Sequence, residues 1–406
     1  MGTYRSSILK GITWSVGVFL VLIPVFLSFS NANPTESSIT FVQIPDVHLF
    51  DDGKPRKLND LPSHALWQDD EKAFSWAIEE IKAIKGLNFI VFTGDLGLEM
   101  TGPYWESQAV DYFAKKLSGL PVSHILFVPG NNDLLNEEPK DIGRYQSFVT
   151  ALGSELQKKE SKAKVMDLSK KGIPIDGMHL HGLNSATFKN SIPCRIGFNQ
   201  PPGSVVLPND QEKKNLEKWT VIPFIPFPKL TVQYLWCQAD EIAERLKHQK
   251  EEMSRLASEV QKEPKKVHLI FMHIPPLPDP FYNKNFELPT RFPSLPLPND
   301  TKIANQVPLP WNLDGDTITT WNNMWNNPDA PEKYCMFAAH FHTDDKKYYG
   351  INGLDKGDCN GKLVVAPPLA IKFQDDVKKV PMPARGFLKG TVTQNGTINY
   401  EIVWHP

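Results

Sequence analysis

Seven side chains in this 406-residue chain are nitrogen and oxygen donors of the kind that hold metal cations: Asp46, His48, Asp95, Asn131, His273, His340 and His342. Each comes directly after an apolar run. Phe41-Val42-Gln43-Ile44 leads to Asp46 and His48, Phe89-Ile90-Val91-Phe92 to Asp95, Ile125-Leu126-Phe127-Val128 to Asn131, His268-Leu269-Ile270-Phe271-Met272 to His273, and Met336-Phe337-Ala338-Ala339 to His340 and His342. One such residue alone reads as a helix cap or a satisfied core histidine. Five runs with the same ending do not, and mixed imidazole, carboxylate and amide donors are enough for two metal sites if one carboxylate bridges.

Short apolar runs closed by turn residues, such as Val128 before Pro129-Gly130, predict strands buried on both faces, with their ligands at the C-terminal edge. Ser63 is placed to cap a helix carrying Phe74, Ala77, Ile78, Ile81 and Ile84, which Gly86 ends. A short helix over Tyr104–Leu117 completes a β-α-β-α-β succession, the pattern of α/β layering. Further helices are predicted over Ile142–Leu156 and Ala239–Lys262, the latter with Ile242, Leu246, Met253, Leu256 and Val260 on one face. A strand over Met178–Gly182 puts His179 and His181 on one face, where they either touch phosphate or a third metal or form a polar sheet face. Strands near Lys347–Tyr349, Leu363–Val365 and Gly390–Trp404, the last with a hairpin at Gly396, are expected to close a second sheet.

Asp-x-His, Gly-Asp, Gly-Asn-x-Asp, a lone strand-end His and His-x-His, in that order from Asp46 to His342, resemble the calcineurin-like metallophosphoesterase superfamily. The resemblance implies a four-layer α-β-β-α sandwich of two mixed sheets, with a dimetal site at strand C-terminal ends. It implies that Asp46, His48, Asp95 and His342 bind one metal, and that Asp95 bridges to a second completed by Asn131, His273 and His340. Asp95 and Asn132 then carry the catalytic contacts. The ions would be two divalent or trivalent metals, with manganese, iron and zinc equally suited to such donors. Many relatives have a histidine where this chain has Asn132, and an amide donates hydrogen bonds but releases no proton. Gly130-Asn131-Asn132-Asp133, His273-Ile274-Pro275-Pro276 and the run from His340 to Asp344 resemble the branch of endopolyphosphatases and acid-sphingomyelinase-like enzymes. Leu98 and Ala339 depart from the common pattern, and no tyrosine marks a purple acid phosphatase.

The expected reaction is two-metal hydrolysis of a phosphate ester or phosphoanhydride, a phosphodiester being favoured because Asn132 suits leaving groups that need no proton. A sphingomyelin-type, lipid-headgroup phosphodiesterase is the alternative among enzymes. A catalytically silent extracellular metal-binding protein and a membrane-tethered structural module are the alternatives from other classes. The substrate is then a small molecule or a lipid phosphate. Lys plus Arg number 44 against 46 Asp plus Glu, a balance that gives no electrostatic clamp for a nucleic-acid polymer.

Arg5 and Lys10, the uncharged apolar stretch Gly11–Phe29 and Ser30-Asn31-Ala32 read as a signal peptide over residues 1–32, or as an uncleaved anchor in contact with a membrane through residues 11–29. The domain over 33–406 is then expected to be periplasmic, secreted or tethered outside the cytoplasm. Four cysteines allow two disulfides in three connectivities; Cys194 with Cys237 and Cys335 with Cys359 is the favoured one, and four buried thiols the alternative. Residues 275–331 read as a Pro- and Trp-rich insertion between two metal ligands. Its Trp311, Trp321 and Trp325 either form a rim that recognises substrate or pack as a rigid surface wrap.

Overall fold

The computed structural model describes residues 38–49, 61–97, 103–134, 142–188, 194–198, 233–237, 239–276, 315–326, 331–343, 345–370 and 384–406. The expected leader, Trp311, Leu98, Asp344 and most of the proline-rich segment lie outside them. Among the described residues no helix is long and apolar enough to cross a membrane.

The first half runs β1 (Ile39–Ile44), α1 (Leu61–Ala83), β2 (Leu87–Thr93), α2 (Pro103–Leu117), β3 (His124–Val128), α3 (Ile142–Lys158), β4 (Lys164–Asp167), β5 (Ile173–Ile175) and β6 (Met178–Leu183). The second runs β7 (Cys194–Phe198), β8 (Gln233–Cys237), α4 (Ala239–Lys262), β9 (Val267–Met272), α5 (Gly315–Asn326), β10 (Lys333–Ala338), β11 (Lys356–Asp358), β12 (Lys362–Val365), β13 (Gly386–Val392) and β14 (Ile398–Trp404). The strands form a seven-stranded sheet, β11-β14-β13-β1-β2-β3-β4, a five-stranded sheet, β12-β10-β9-β6-β5, and a ribbon of β7 and β8. Both large sheets are mixed. β1 to β4 pair in parallel while β13 joins β1 antiparallel. In the second sheet β12, β10, β9 and β6 are parallel and β5 is antiparallel.

Two-residue alternation sorts the first sheet into two buried faces. Phe41, Phe89, Val91, Leu126 and Val128 share a core with the second sheet. There Phe41 stacks on Phe89 at 5.2 Å and meets Phe271 and Phe337 edge-on at 5.7 and 5.3 Å. Val42, Ile44, Ile90, Phe92 and Phe127 face the other way, onto Phe74 and Ile78 of α1, Phe113 of α2 and Phe148 of α3. Each side chain of this size removed from water stabilises by roughly 1.5–3 kcal/mol, so neither face can be given up. Met253, Leu256 and Val260 of α4 and Trp321, Met324 and Trp325 of α5 pack with the second sheet, which completes the α-β-β-α layering.

Four expectations change. Ser63 is inside α1, which starts at Leu61, and is not its cap. β11, β13 and β14 extend the first sheet; of the four late strands only β12 joins the second. Lys346–Tyr348 is a 3-10 turn capped by Asp345 rather than a strand. Trp321 and Trp325 are core residues, 0% and 5% exposed, and not a substrate rim. They sit four apart on α5, where that spacing puts them on one face, and Trp325 stacks on Tyr334 at 4.4 Å. Cys335 and Cys359 form a disulfide, while Cys194 and Cys237 are register partners in the β7–β8 ribbon.

Candidate metal centre

β1, β2 and β3 are adjacent and parallel, so the loops after them emerge at one edge; β9 and β10 do the same in the second sheet. All seven predicted donors gather where the two edges meet. Among the described residues, Asp46, His48 and His342 form one group of potential ligand atoms within 4.8 Å of one another, and Asp95, His273 and His340 form another. The groups adjoin. His48 Nε2 is 3.4 Å from Asp95 Oδ2, and His273 Nε2 is 3.9 Å from Asp46 Oδ1.

The loops hold unusual backbone conformations. Asp46, His48, Asp95 and His340 have φ of 46°, 43°, 51° and 75°, four of the seven described non-glycine residues with positive φ. Such conformations cost about 1–3 kcal/mol each and persist where the surroundings impose them. Here the first two loops bind each other, Asp46 N–H to Gly94 O at 3.2 Å and His48 N–H to Asp95 O at 2.9 Å. Across the sheets, His340 N–H donates to Asp46 Oδ2 at 3.0 Å. Gly130 permits close approach: a Cβ there would lie 2.2 Å from Asp95 Oδ1.

Hydrogen bonds aim the donor atoms. His273 Nδ1–H donates to Thr93 O at 2.8 Å, which leaves the Nε2 lone pair turned inward. That nitrogen faces Asp95 Oδ2 and Asn131 Oδ1, each at 3.2 Å, and His340 Nδ1 at 3.0 Å. The Asn131 amide donates Nδ2–H to Asn132 Oδ1 at 3.1 Å, so its oxygen is the atom presented. Four electron-pair donors converging on one point repel unless a proton or a cation lies among them. This donor set fits a metal ion.

Charge follows the same logic. Burial would raise the Asp46 carboxyl, but the His273 and His342 imidazoles outweigh it and hold it far below the usual carboxylate range. Burial would lower His273, yet the carboxylates of Asp95 and Asp46 raise it.

Two residues that sequence reasoning left out of the site hold it in shape. Asp133, fully buried, accepts from the N–H groups of Asp95, Leu96 and Gly130 at 2.8–2.9 Å, which locks two ligand loops together. Burial and the neighbouring Asp95 charge push its carboxyl up to about 7. It was legible as the last member of Gly-Asn-x-Asp. The Tyr349 hydroxyl accepts from Thr343 N–H at 3.0 Å and lies 2.9 Å from both the Phe341 and Thr343 carbonyls, which ties down the loop of His340 and His342. No spacing rule announced it.

Asn132 is partly buried and donates to Asp95 twice, its N–H to Oδ1 at 2.9 Å and its amide to Oδ2 at 2.6 Å. His179 and His181 are not in the site. Together with His268 they lie beneath α4 and the turn after it, where His181 and His179 meet Glu259 and Glu263. They form no metal group among the described residues.

Compared with protein families, residues 39–285, more than half of the chain, match the calcineurin-like phosphoesterase family. The chain belongs to that family. The matched span includes Asp46 through His273, and the fold adds His340 and His342 from beyond it. No curated protein matches the chain. Among solved structures it is similar to a dimetal phosphatase from Danio rerio, at 14% identity and a TM-score of 0.38, covering 90% of this chain and 98% of that one. Family membership and the two adjoining donor groups make this calcineurin-like phosphoesterase a metal-dependent phosphoester hydrolase with a dinuclear site.

Proposed function

We propose that the chain is an exported phosphodiesterase using manganese, iron or zinc, in which Asp46, His48, Asp95 and His342 hold one ion and Asp95, Asn131, His273 and His340 the other. With two cations bound, the chemistry supplied is Lewis-acid: activation of a water and neutralisation of charge on the phosphoryl oxygens. The protein's part is to hold Asp95 between the two groups, fix the inward lone pair of His273 through Thr93, and keep Asp46 ionised.

The observation that carries the choice of substrate is Asn132, the partly buried amide beside Asp95. It orients by hydrogen bonding and releases no proton, which favours leaving groups that depart as stable anions: an activated diester or another phosphate. Export is supported by the Cys335–Cys359 disulfide, a bond that persists in oxidising compartments, together with the apolar leader in the sequence.

The test is to prepare the chain from Asn33 onward, load it with each metal, and compare an aryl phosphate monoester, an aryl diester, a nucleotide, polyphosphate and a sphingomyelin-type lipid. Diester turnover above monoester turnover is expected, and the reverse order would overturn the reading. A lipid substrate turned over fastest would make the headgroup enzyme the correct member of the diesterase class. Asn132→His should raise the rate on alkyl esters, whose leaving groups need a proton, by roughly tenfold or more, while leaving activated aryl esters little changed. An unaltered alkyl rate would mean that a water or another side chain already supplies the proton.

A further inference from the structure

Gln43 is fully buried on β1, on the face that also carries Phe41 and looks into the core between the sheets. A primary amide among aromatic side chains is unfavourable unless its polar atoms are paired. Its Nε2 donates to Thr93 Oγ1 at 2.9 Å and to the Ala338 carbonyl at 3.0 Å. Its Oε1 is buried and has no hydrogen-bond partner among the described residues. An apolar side chain of the same size would spare the Oε1 desolvation while taking this partner from the Thr93 hydroxyl, so core stability alone does not single out the amide.

Its partners do. Gln43 comes three residues before Asp46, Thr93 two before Asp95, and Ala338 two before His340. The Thr93 carbonyl also receives the Nδ1–H of His273. One amide therefore links the strand of Asp46 and His48 to the strand of Asp95 in its own sheet, and to the strand of His340 and His342 in the other. Through Thr93 it also reaches His273. We propose that Gln43 is a positioning residue that fixes the separation of the two sheets beneath the ligand edge, and with it the spacing between the Asp46 group and the Asp95 group. It acts through the ligand strands and touches neither substrate nor the reacting atoms. The proposal rests on the dimetal reading of the site.

The experiment uses full-length protein and Mn2+ alone. Wild type should bind two ions, and their magnetic exchange coupling, read by electron paramagnetic resonance, reports their spacing. Gln43→Leu keeps the volume and removes the donor. The metal-free variant should melt within a few degrees of wild type or above it. The Kd of its second Mn2+ should rise about tenfold, the coupling should change, and kcat should fall roughly 10–100-fold with KM nearly constant, the range for a residue that orients metal ligands. Thr93→Val, which removes one acceptor and keeps the backbone carbonyl, should show the same changes to a lesser degree. It decides the matter if Gln43→Leu fails to fold.

Wild-type coupling and second-ion affinity in the folded variant, or in Thr93→Val, would overturn the positioning role and leave the dimetal reading standing. A wild type that takes up no pair of Mn2+ ions would overturn both.

Discussion

Among the described residues histidines gather in two places, the metal centre and the space beneath α4, and the two groups make opposite use of the same ring. In the metal centre, His48, His273, His340 and His342 project from loops beyond the last strand residues, and their nitrogens converge with carboxylate and amide oxygens. Beneath α4, His181 and His268 lie within strands and pair off. His181 Nε2 meets His268 Nδ1 at 2.9 Å, His181 Nδ1 meets Glu259 Oε2 at 3.0 Å, and His268 Nε2 donates to the Glu263 carbonyl at 2.9 Å. Every ring nitrogen of His181 and His268 has a partner, so neither ring has a position left for an ion. Position along the strand, rather than residue type, separates a ligand from a core histidine. A side chain within a ladder is fixed by its neighbours, whereas one on the loop beyond can turn to a shared point.

The largest effect that tests this contrast is on turnover. Asp95→Asn keeps the shape of the side chain that lies between the two donor groups and removes its charge; activity should fall by about 10^3 to 10^5, or roughly 4–7 kcal/mol of transition-state stabilisation. His181→Gln, made in an equally buried place, should leave kcat/KM within about twofold. A comparable loss in both variants would break the distinction between the groups.

Much of the centre was legible because each ligand directly follows an apolar run, and because Pro129-Gly130 and Thr93-Gly94 mark where those runs stop. The α-β-β-α layering followed from the alternation of strands and helices along the first half. Strand order in the second half was not legible. β13 returns to pair with β1 across more than 340 residues, and nothing local in Gly386–Val392 specifies that partner. The prolines before Trp321 and Trp325 left a substrate rim and a packed wrap both open, although the four-residue spacing of the pair is that of one helix face, and their burial favours packing. Gln43 and Tyr349 act through backbone groups and one hydroxyl brought together by the fold, and such partners leave no periodicity in the text.

Stability against pH gives a second measure of the contrast. Burial, which outweighs the Glu263 carbonyl, pushes His268 down to about 4, from an ordinary value near 6.5. The unfolded chain then binds a proton below pH 6.5 that the native chain refuses until pH 4. The contribution is intact above 6.5, is lost as pH falls from there toward 4, and amounts to on the order of 3 kcal/mol. His268→Gln has no such group. In urea unfolding, the advantage of wild type over His268→Gln should therefore shrink by about 2 kcal/mol or more between pH 7.5 and pH 4.5. Parallel pH profiles would show that His268 gains a proton readily inside the fold and that its pairing with His181 is not a fixed core contact.

The smallest expected effect sharpens the metal side. His340 and His342 lie on a loop outside any strand, and the Tyr349 hydroxyl joins the backbone at Phe341 and Thr343 around them. Tyr349→Phe keeps the ring, which packs edge-on against Trp404 at 5.9 Å, and deletes only the hydroxyl. One buried polar contact of this kind contributes about 1 kcal/mol, so the thermal midpoint should fall by only a few degrees. If the loop is what aims His342 at Asp46, 3.1 Å away, the same deletion should weaken metal binding about tenfold, and excess metal should restore most of the lost turnover. Turnover that stays low at saturating metal would mean that the hydroxyl sets the shape of the pocket for substrate instead. Loss of stability with unchanged metal affinity would mean that the two histidines are aimed by their own backbone, without the tyrosine.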